Sequence, residues 1–150
     1  MSEAGRFNGW TDVALNERGR AQAYALRNRL SSAYDGIWSS DLSRAVETAA
    51  IASVTATTDR RLRELDFGRL EGKTWDGFSP DIRRSLLEFD SFTAPGGEST
   101  RQLRDRVADF LSSLDVGRHL LFTHGGVIRV LLRARGIDRR VEPGEIVEVG

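Results

Sequence analysis

The sequence predicts an α/β fold with a mostly parallel sheet and helices on both faces. Three observations support this: short apolar runs alternate with amphipathic helical stretches, turn residues separate them, and no internal repeat or low-complexity segment interrupts the 150 residues. Strands that alternate with helices are typical of parallel sheets, because parallel neighbours need a crossover connection. We therefore predict one domain over residues 1–150, built as a three-layer α/β/α sandwich.

The first half of the chain predicts two helices and two strands. Asn16 is a suitable N-cap for the first helix, and small apolar side chains after Leu42 predict a second helix that packs closely on the sheet. In order, the predicted elements are a helix over 16–30, a strand over 36–40, a helix over 41–50, a weak strand over 53–57 and a charged loop that ends at Gly72.

The second half of the chain marks its helix starts more clearly than the first half. Proline follows Ser79 where a helix starts, and Ser99 with Gln102 forms the capping-box pattern of another helix. The residues of that second helix predicted to face the core are Leu103, Val107, Phe110, Leu111 and Leu114. The remaining predicted elements are a strand over 120–122 covered on both faces, a helix after His124, and a strand pattern over 146–149.

Composition excludes several classes of function. The 22 basic and 22 acidic residues balance without blocks of like charge, which argues against a nucleic-acid or membrane-surface partner. The absence of cysteine excludes thiolate catalysis and zinc–thiolate sites, and the two histidines, His119 and His124, have no partner at metal-binding spacing. We therefore expect no metal. Without a long apolar stretch or a signal-peptide pattern, we expect a cytoplasmic protein.

The segment from Phe122 to Arg129 carries the first functional signal. His124 lies where a strand passes into a helix, and the glycines that follow leave backbone N–H groups pointing out of the helix N-terminus, where anions bind favourably. An imidazole at this place can act on a phosphoryl group. A packed histidine beside a tight turn fits the same residues equally well, so this segment alone leaves both interpretations open.

Further segments match the motifs of a known family, in the family's order. They are Gly5–Asp12 with Leu15–Gly19, Ser39–Ala49, Leu62–Gly72, Pro95–Ser99 and Thr123–Gly126. Together they resemble the histidine phosphatase superfamily, also called phosphoglycerate mutase-like, over nearly the whole chain. The resemblance is closest to α-ribazole phosphatase-like and broad-specificity members.

The resemblance implies three catalytic residues. Arg44, in the first turn after a strand, would hold phosphate oxygens with its guanidinium fork. Glu64 would give a proton to the leaving oxygen, and His124 would stabilise the transferring phosphoryl group. Without the surrounding motifs, Arg44 fits an ordinary surface arginine and Glu64 fits a solvated loop charge.

The resemblance also implies a substrate-binding set. Asn8 and Gly9 would line the substrate mouth, Arg44 would bind the phosphate, and the backbone N–H of Gly125 would assist the neighbouring histidine. A simple turn explains Asn8 and Gly9 equally well. His119 is expected only to begin the strand.

The nucleophile of the family is a histidine in an Arg-His-Gly motif after the first strand, and the sequence has no such motif. We expect residues 1–5 to follow that motif, with a strand of about five residues and the catalytic turn upstream of Met1. The domain would then lack its first, central strand, which would leave inner sheet edges unpaired and impair folding. A start codon assigned too far downstream accounts for this, and a pseudoenzyme is the alternative. The strand pattern at 146–149 suggests that the chain is also short at its other end.

The resemblance implies that the full-length protein hydrolyses a small phosphorylated metabolite through a phosphohistidine and needs no cofactor. The segment between Gly72 and Pro95 holds one predicted helix and is shorter than in the family's mutases, which favours hydrolysis. Mutase activity is the enzymatic alternative. A non-catalytic binder of a phosphorylated ligand, which keeps Arg44 and His124, is the alternative from another class. A homodimer is left open.

Overall fold

The computed structural model describes residues 5–31 and 33–150. Met1–Ala4, which the sequence predicts to follow the missing motif, lie outside the described residues. Helices and strands follow one another along the described residues, with short 3₁₀ turns between several of them. They are α1 (Glu17–Ala25), β1 (Gly36–Ser39), α2 (Ser43–Ile51), β2 (Thr57–Thr58), α3 (Pro80–Glu88), α4 (Thr100–Ser112), β3 (His119–Phe122) and α5 (Gly125–Arg133).

The strands form a parallel sheet in the order β2-β1-β3. Successive side chains of β1 point to opposite faces, as strand geometry requires. Ile37 packs with Ala49 of α2 in one apolar cluster, whereas Trp38 contacts Phe110 of α4 edge to face at 5.7 Å between ring centroids. Helices therefore cover both faces of the sheet, which confirms the predicted α/β architecture.

Local capping signals predicted three helix starts correctly. The side chain of Asn16 accepts a hydrogen bond of 2.8 Å from the N–H of Gly19 at the start of α1. Ser79 caps α3, which has proline in its first turn. Ser99 and Gln102 form a complete capping box before α4. Each of these signals works within four residues, so no tertiary contact is needed to read it.

Several predicted boundaries are wrong. The helix predicted over 16–30 ends at Ala25 and continues only as a 3₁₀ turn over Leu26–Asn28. The strand predicted over 53–57 is reduced to the two residues of β2, after Ser53 turns the chain with a positive φ of 63°. Residues 146–150 form no strand, because no strand in the described part of the chain pairs with them.

Two predicted burial patterns also need correction. In α4, Leu103, Val107 and Phe110 are buried, but Leu111 is exposed because it lies on the outer side of the helix, and Leu114 follows the helix end. In β3, only Phe122 is buried, since the strand lies at an edge of the described sheet. His119 begins β3, as predicted.

The main apolar cluster joins α4 and α5 to the loop that follows residue 64. Because these side chains are almost fully buried, each contributes about 1.5–3 kcal/mol to folding, and the loop is packed firmly together with α4 and α5. The members that make this connection are Leu65, Phe67 and Leu70 of the loop, Leu103 and Val107 of α4, and Val127, Val130 and Leu131 of α5.

Candidate active site

The candidate site lies at the carboxyl ends of β1 and β3, beside the N-terminus of α5. The two strands are neighbours in the sheet, and the N–H of Ser40 donates to the carbonyl of Phe122 at 2.8 Å just beyond their last pair. His124 follows as the N-cap residue of α5. Parallel sheets bind ligands at this edge, where strand ends and helix N-termini meet.

His124 is buried and neutral. Its Nε2 lies 2.8 Å from the hydroxyl of Ser40, which also accepts a hydrogen bond from the N–H of Leu42. Burial of the imidazole, together with the positive charges of Arg44 and Arg106, lowers the pKa of His124 to about 3. At neutral pH His124 can therefore act as a hydrogen-bonding group beside an anion, but it carries no charge.

The carboxylate of Glu64 lies on the first turn of α5. It accepts hydrogen bonds from the N–H of Gly126 at 3.1 Å and of Leu65 at 2.8 Å. A Cβ on residue 126 would lie 2.2 Å from Oε1 of Glu64, so any other residue there would force the carboxylate to move. The structure thus brings Glu64 and the His124 segment together, although 60 residues separate them.

The backbone of Glu64 is held from behind by two donors that the sequence did not single out. Nε1 of Trp10 and Nη2 of Arg106 both donate to its carbonyl oxygen at 2.8 Å. Arg106 is in turn paired with Glu98 at 2.7 Å, and the two side chains are only 17% and 11% exposed. Glu98 also accepts from the N–H of Asp66. This buried pair fixes the loop that presents Glu64.

Arg44 extends from the first turn of α2 to the loop over residues 8–12. Its guanidinium donates to the carbonyl oxygens of Gly9 at 2.7 Å and of Asn8 and Thr11 at 3.2 Å. Burial lowers the pKa of Arg44, and the nearby negative charges of Glu64, Glu71 and Asp12 oppose that shift. No carboxylate of the described residues forms an ion pair with Arg44 within 4 Å.

Asn8 and Gly9 contact Arg44 through their backbone carbonyls. Gly9 is buried, and a Cβ there would lie 2.1 Å from the carbonyl oxygen of Leu65. These contacts position Arg44. The predicted role of Asn8 and Gly9 at a substrate mouth stays a prediction, as does that of Gly125, whose exposed backbone begins α5.

The arrangement places three complementary groups around one helix N-terminus. Arg44 supplies a positive charge, His124 a neutral ring and Glu64 a carboxyl group, and Arg44 and Glu64 are each held by backbone atoms instead of by each other. Such a set can bind a phosphoryl group and exchange a proton with it. Within residues 5–31 and 33–150, no cluster of three or more metal-ligating side chains is assembled. None of the helices described is long and apolar enough to span a bilayer.

Two cavities open outside this set. One, of about 250 Å³, is lined by Trp10, Asp66, Gly97, Glu98 and Gln102. The other, of about 550 Å³, lies at the opposite end of α5 beside Phe89 and Arg133. The first includes two residues of the scaffold around Glu64, and the second includes none of the candidate residues.

Comparison with known proteins places these features in a family context. A family model described as the histidine phosphatase superfamily (branch 1) matches residues 1–140. Phosphoglycerate mutase-like protein 4 of Arabidopsis thaliana is 36% identical over 154 residues, covering 91% of this chain and 67% of that protein. A probable phosphoglycerate mutase of Salmonella choleraesuis is 38% identical over 133 residues, covering 80% of this chain and 62% of that protein. The chain thus spans about two thirds or less of the length of these relatives.

Solved structures are similar as well. The crystal structure of a phosphoglycerate mutase from Thermus thermophilus superposes with a TM-score of 0.88 at 45% identity, covering 93% of this chain and 80% of that one. A mycobacterial glucosyl-3-phosphoglycerate phosphatase superposes with a TM-score of 0.73 at 30% identity, covering 89% of this chain and 73% of that one. Proteins named as mutases and as phosphatases thus share this fold.

Proposed function

Because the chain belongs to the histidine phosphatase superfamily, we propose that the protein hydrolyses small phosphomonoesters through a phosphohistidine. The observation that carries the proposal is the guanidinium of Arg44, which is held by three backbone carbonyls and by no carboxylate of the described residues, near a neutral His124. A positive charge fixed in this way attracts a phosphate dianion at little reorganisation cost. We also propose that residues 1–150 belong to one such domain, and that the protein acts in the cytoplasm.

The proposed reaction has two steps. A histidine nitrogen attacks phosphorus, the bond to the ester oxygen breaks, and Glu64, protonated at this stage, transfers its proton to the departing alcohol. Water then attacks phosphorus and gives a proton to the Glu64 carboxylate, the P–N bond breaks, and the free histidine and inorganic phosphate are released. Arg44 and His124 stabilise the equatorial oxygens in both steps.

The attacking histidine is not identified among the residues of this sequence. His119 begins β3, where its two ring nitrogens contact the indole of Trp38 and the carbonyl of Asp115. His124 is packed against Ser40. In the family the nucleophile belongs to an Arg-His-Gly motif, and we propose that a longer form of this protein supplies it.

Hydrolysis is favoured over phosphoryl transfer between two positions of a substrate. Between Gly72 and Pro95 the chain holds one α-helix, α3, and a segment of this size offers little cover for a bisphosphorylated intermediate. The mutase reaction is the second candidate, because the names of the Arabidopsis and Thermus relatives refer to it. A non-catalytic binder of a phosphorylated ligand would keep Arg44 and His124 but form no phosphohistidine.

The test is hydrolysis of p-nitrophenyl phosphate by this chain and by a form extended in frame upstream of residue 1. We expect activity in the extended form, loss of activity in its His124→Ala variant, and an acid-labile label on histidine after a brief incubation with ³²P-labelled substrate. Activity without labelled histidine would contradict the mechanism. Inactivity of both folded forms, with retained phosphate binding, would favour the non-catalytic binder.

A further inference from the structure

Glu71 lies outside the catalytic set, yet its carboxylate is surrounded by donors from the loop over residues 8–12. Oε2 accepts hydrogen bonds from the N–H of Gly9 at 2.8 Å and the hydroxyl of Thr11 at 3.1 Å. Oε1 accepts from the N–H of Trp10 at 2.8 Å and from that of Phe67 at 3.3 Å. Four donors from two separate loops therefore converge on one carboxylate.

The loop that Glu71 holds is the loop on which Arg44 rests. Gly9 donates its N–H to Glu71 and accepts the shortest hydrogen bond of Arg44, at 2.7 Å, with its carbonyl. Each of the two peptide groups around Gly9 is held on both sides: the Gly9–Trp10 peptide gives its N–H to Glu71 and its carbonyl to Arg44, and the Asn8–Gly9 peptide does the same. Asp12 fastens the end of the same loop to α2 by accepting from the N–H and hydroxyl of Ser43.

The same loop also reaches the proton donor. Trp10 gives its backbone N–H to Glu71 and its indole N–H to the carbonyl of Glu64. A shift of this loop would therefore move the support of both Arg44 and Glu64.

We propose that Glu71 is a positioning residue of the phosphate site, which holds the loop over residues 8–12 so that Arg44 and Glu64 keep their spacing. The proposal rests on the proposed function, because it assumes that Arg44 binds phosphate. Glu71 acts through the loop and does not touch the substrate.

A carboxylate is required at this place because every group that faces it is a donor. Glu71→Gln keeps the size of the side chain but replaces one acceptor oxygen with an N–H₂ group. In either orientation of the amide, that group would face a backbone N–H, of Gly9 or of Trp10, and leave it unpaired. Thr11→Val is a milder change that removes only the hydroxyl donor.

Glu47→Gln is the matched control. Glu47 also accepts from a backbone N–H, that of Leu15, and pairs with Arg20, but its carboxylate makes no hydrogen bond to residues 8–12 in the described structure. The Glu47→Gln variant therefore shows the effect of losing a carboxylate that connects two chain segments but does not hold the loop over residues 8–12.

The measurement is titration of each purified full chain with inorganic phosphate, followed by ³¹P NMR, with the thermal midpoint as a check of folding. We expect Glu71→Gln to weaken phosphate binding about tenfold, because a backbone N–H of the loop loses its acceptor, and Thr11→Val to weaken it less. Glu47→Gln should bind like the parent. Equal phosphate affinity of the parent, Glu71→Gln and Thr11→Val would overturn the positioning role alone. A folded parent that binds no phosphate would overturn the proposed function and this inference with it.

Discussion

Charged side chains are held by different partners at the two ends of α5. At the C-terminal end, Arg133 pairs with Asp90 at 3.3 Å and with Asp138 at 2.8 Å, and Arg129 also reaches Asp138. At the N-terminal end, Arg44 and Glu64 are held by backbone carbonyl and N–H groups, with no ion pair between them in the described residues. Charges that pair with each other attract a charged ligand only weakly, whereas charges held by backbone groups can still bind one.

Burial separates the two ends as well. Asp90 and Asp138 have side chains that are 53% and 55% exposed, so their ion pairs are screened by water. Glu64 and His124 are 9% and 8% exposed. The charged groups at the N-terminal end are therefore buried and held by backbone atoms, whereas the carboxylates at the C-terminal end are paired and exposed.

The largest effect on stability is expected from the Glu98 and Arg106 pair behind Glu64. Glu98→Ala leaves a nearly buried guanidinium without its partner, which should lower the free energy of unfolding by about 3–5 kcal/mol. Urea denaturation of the variant and the parent measures this. A loss below about 1 kcal/mol would show that this pair contributes no more than an ordinary surface ion pair. The two ends of α5 would then not differ in the way described.

The next effect concerns the contact between Glu64 and α5. Gly126→Ala would place a Cβ 2.2 Å from Oε1 of Glu64, force the carboxylate off its N–H donors and lower stability by about 1–3 kcal/mol. Gly125→Ala is the matched variant, because a Cβ there meets Glu64 at an ordinary 3.9 Å. We expect the thermal midpoint to fall clearly for Gly126→Ala and much less for Gly125→Ala. Equal midpoints would show that Glu64 does not occupy the first turn of α5.

The pH dependence of stability tests the burial of His124. Its folded pKa of about 3 lies below the ordinary value of 6.5, so the unfolded chain takes up the proton first as the pH falls. The stability that the fold gains from keeping His124 neutral is fully present above pH 6.5 and decreases towards pH 3, by at most about 1.4 kcal/mol per pH unit.

His124→Gln should remove this part of the pH dependence. Urea midpoints of the parent and the variant are compared between pH 7.5 and about pH 4.5. Asp12, Asp41 and Asp59 titrate mainly below this range, because hydrogen bonds lower the pKa of each. Parallel curves for the two proteins would mean that His124 is accessible to protons in the folded state.

The smallest effect is expected at the other end of α5. Arg133→Met removes partly exposed ion pairs with Asp90 and Asp138 and should cost less than about 1 kcal/mol. Its stacking over Phe89, at 5.8 Å, is retained in part by the methionine side chain. A larger loss of stability would mean that the pairs at this end are as cooperative as those around Glu64.

Local sequence signals predicted the helix starts, because a cap and its partner lie within one turn. Ser99 with Gln102 is the clearest example. The extent of β2 and the absence of a strand at 146–149 could not be read in this way, since a strand exists only where another chain segment pairs with it. Leu111 was misjudged because apolar character alone does not show which side of α4 meets the core.

The candidate site shows the same limit. The motifs pointed to Arg44, Glu64 and His124, and to Asn8 and Gly9, which hold Arg44, but Glu71, Trp10 and Arg106 were not singled out. Glu71 contacts residues that lie about 60 positions earlier, and Arg106 supports Glu64 from 42 positions away. No spacing rule connects such pairs. The sequence carried one indication of these supporting residues, because Glu71 and Glu98 both lie in segments that match the family's motifs.

The most direct test of the proposed phosphate site is a titration with inorganic phosphate of the parent chain, Arg44→Met and Arg133→Met, with folding checked by circular dichroism. If Arg44, which has no ion pair among the described residues, binds the phosphate, the parent and Arg133→Met bind phosphate saturably and Arg44→Met does not. Binding that survives in Arg44→Met, or that is lost equally in Arg133→Met, would contradict this role of Arg44.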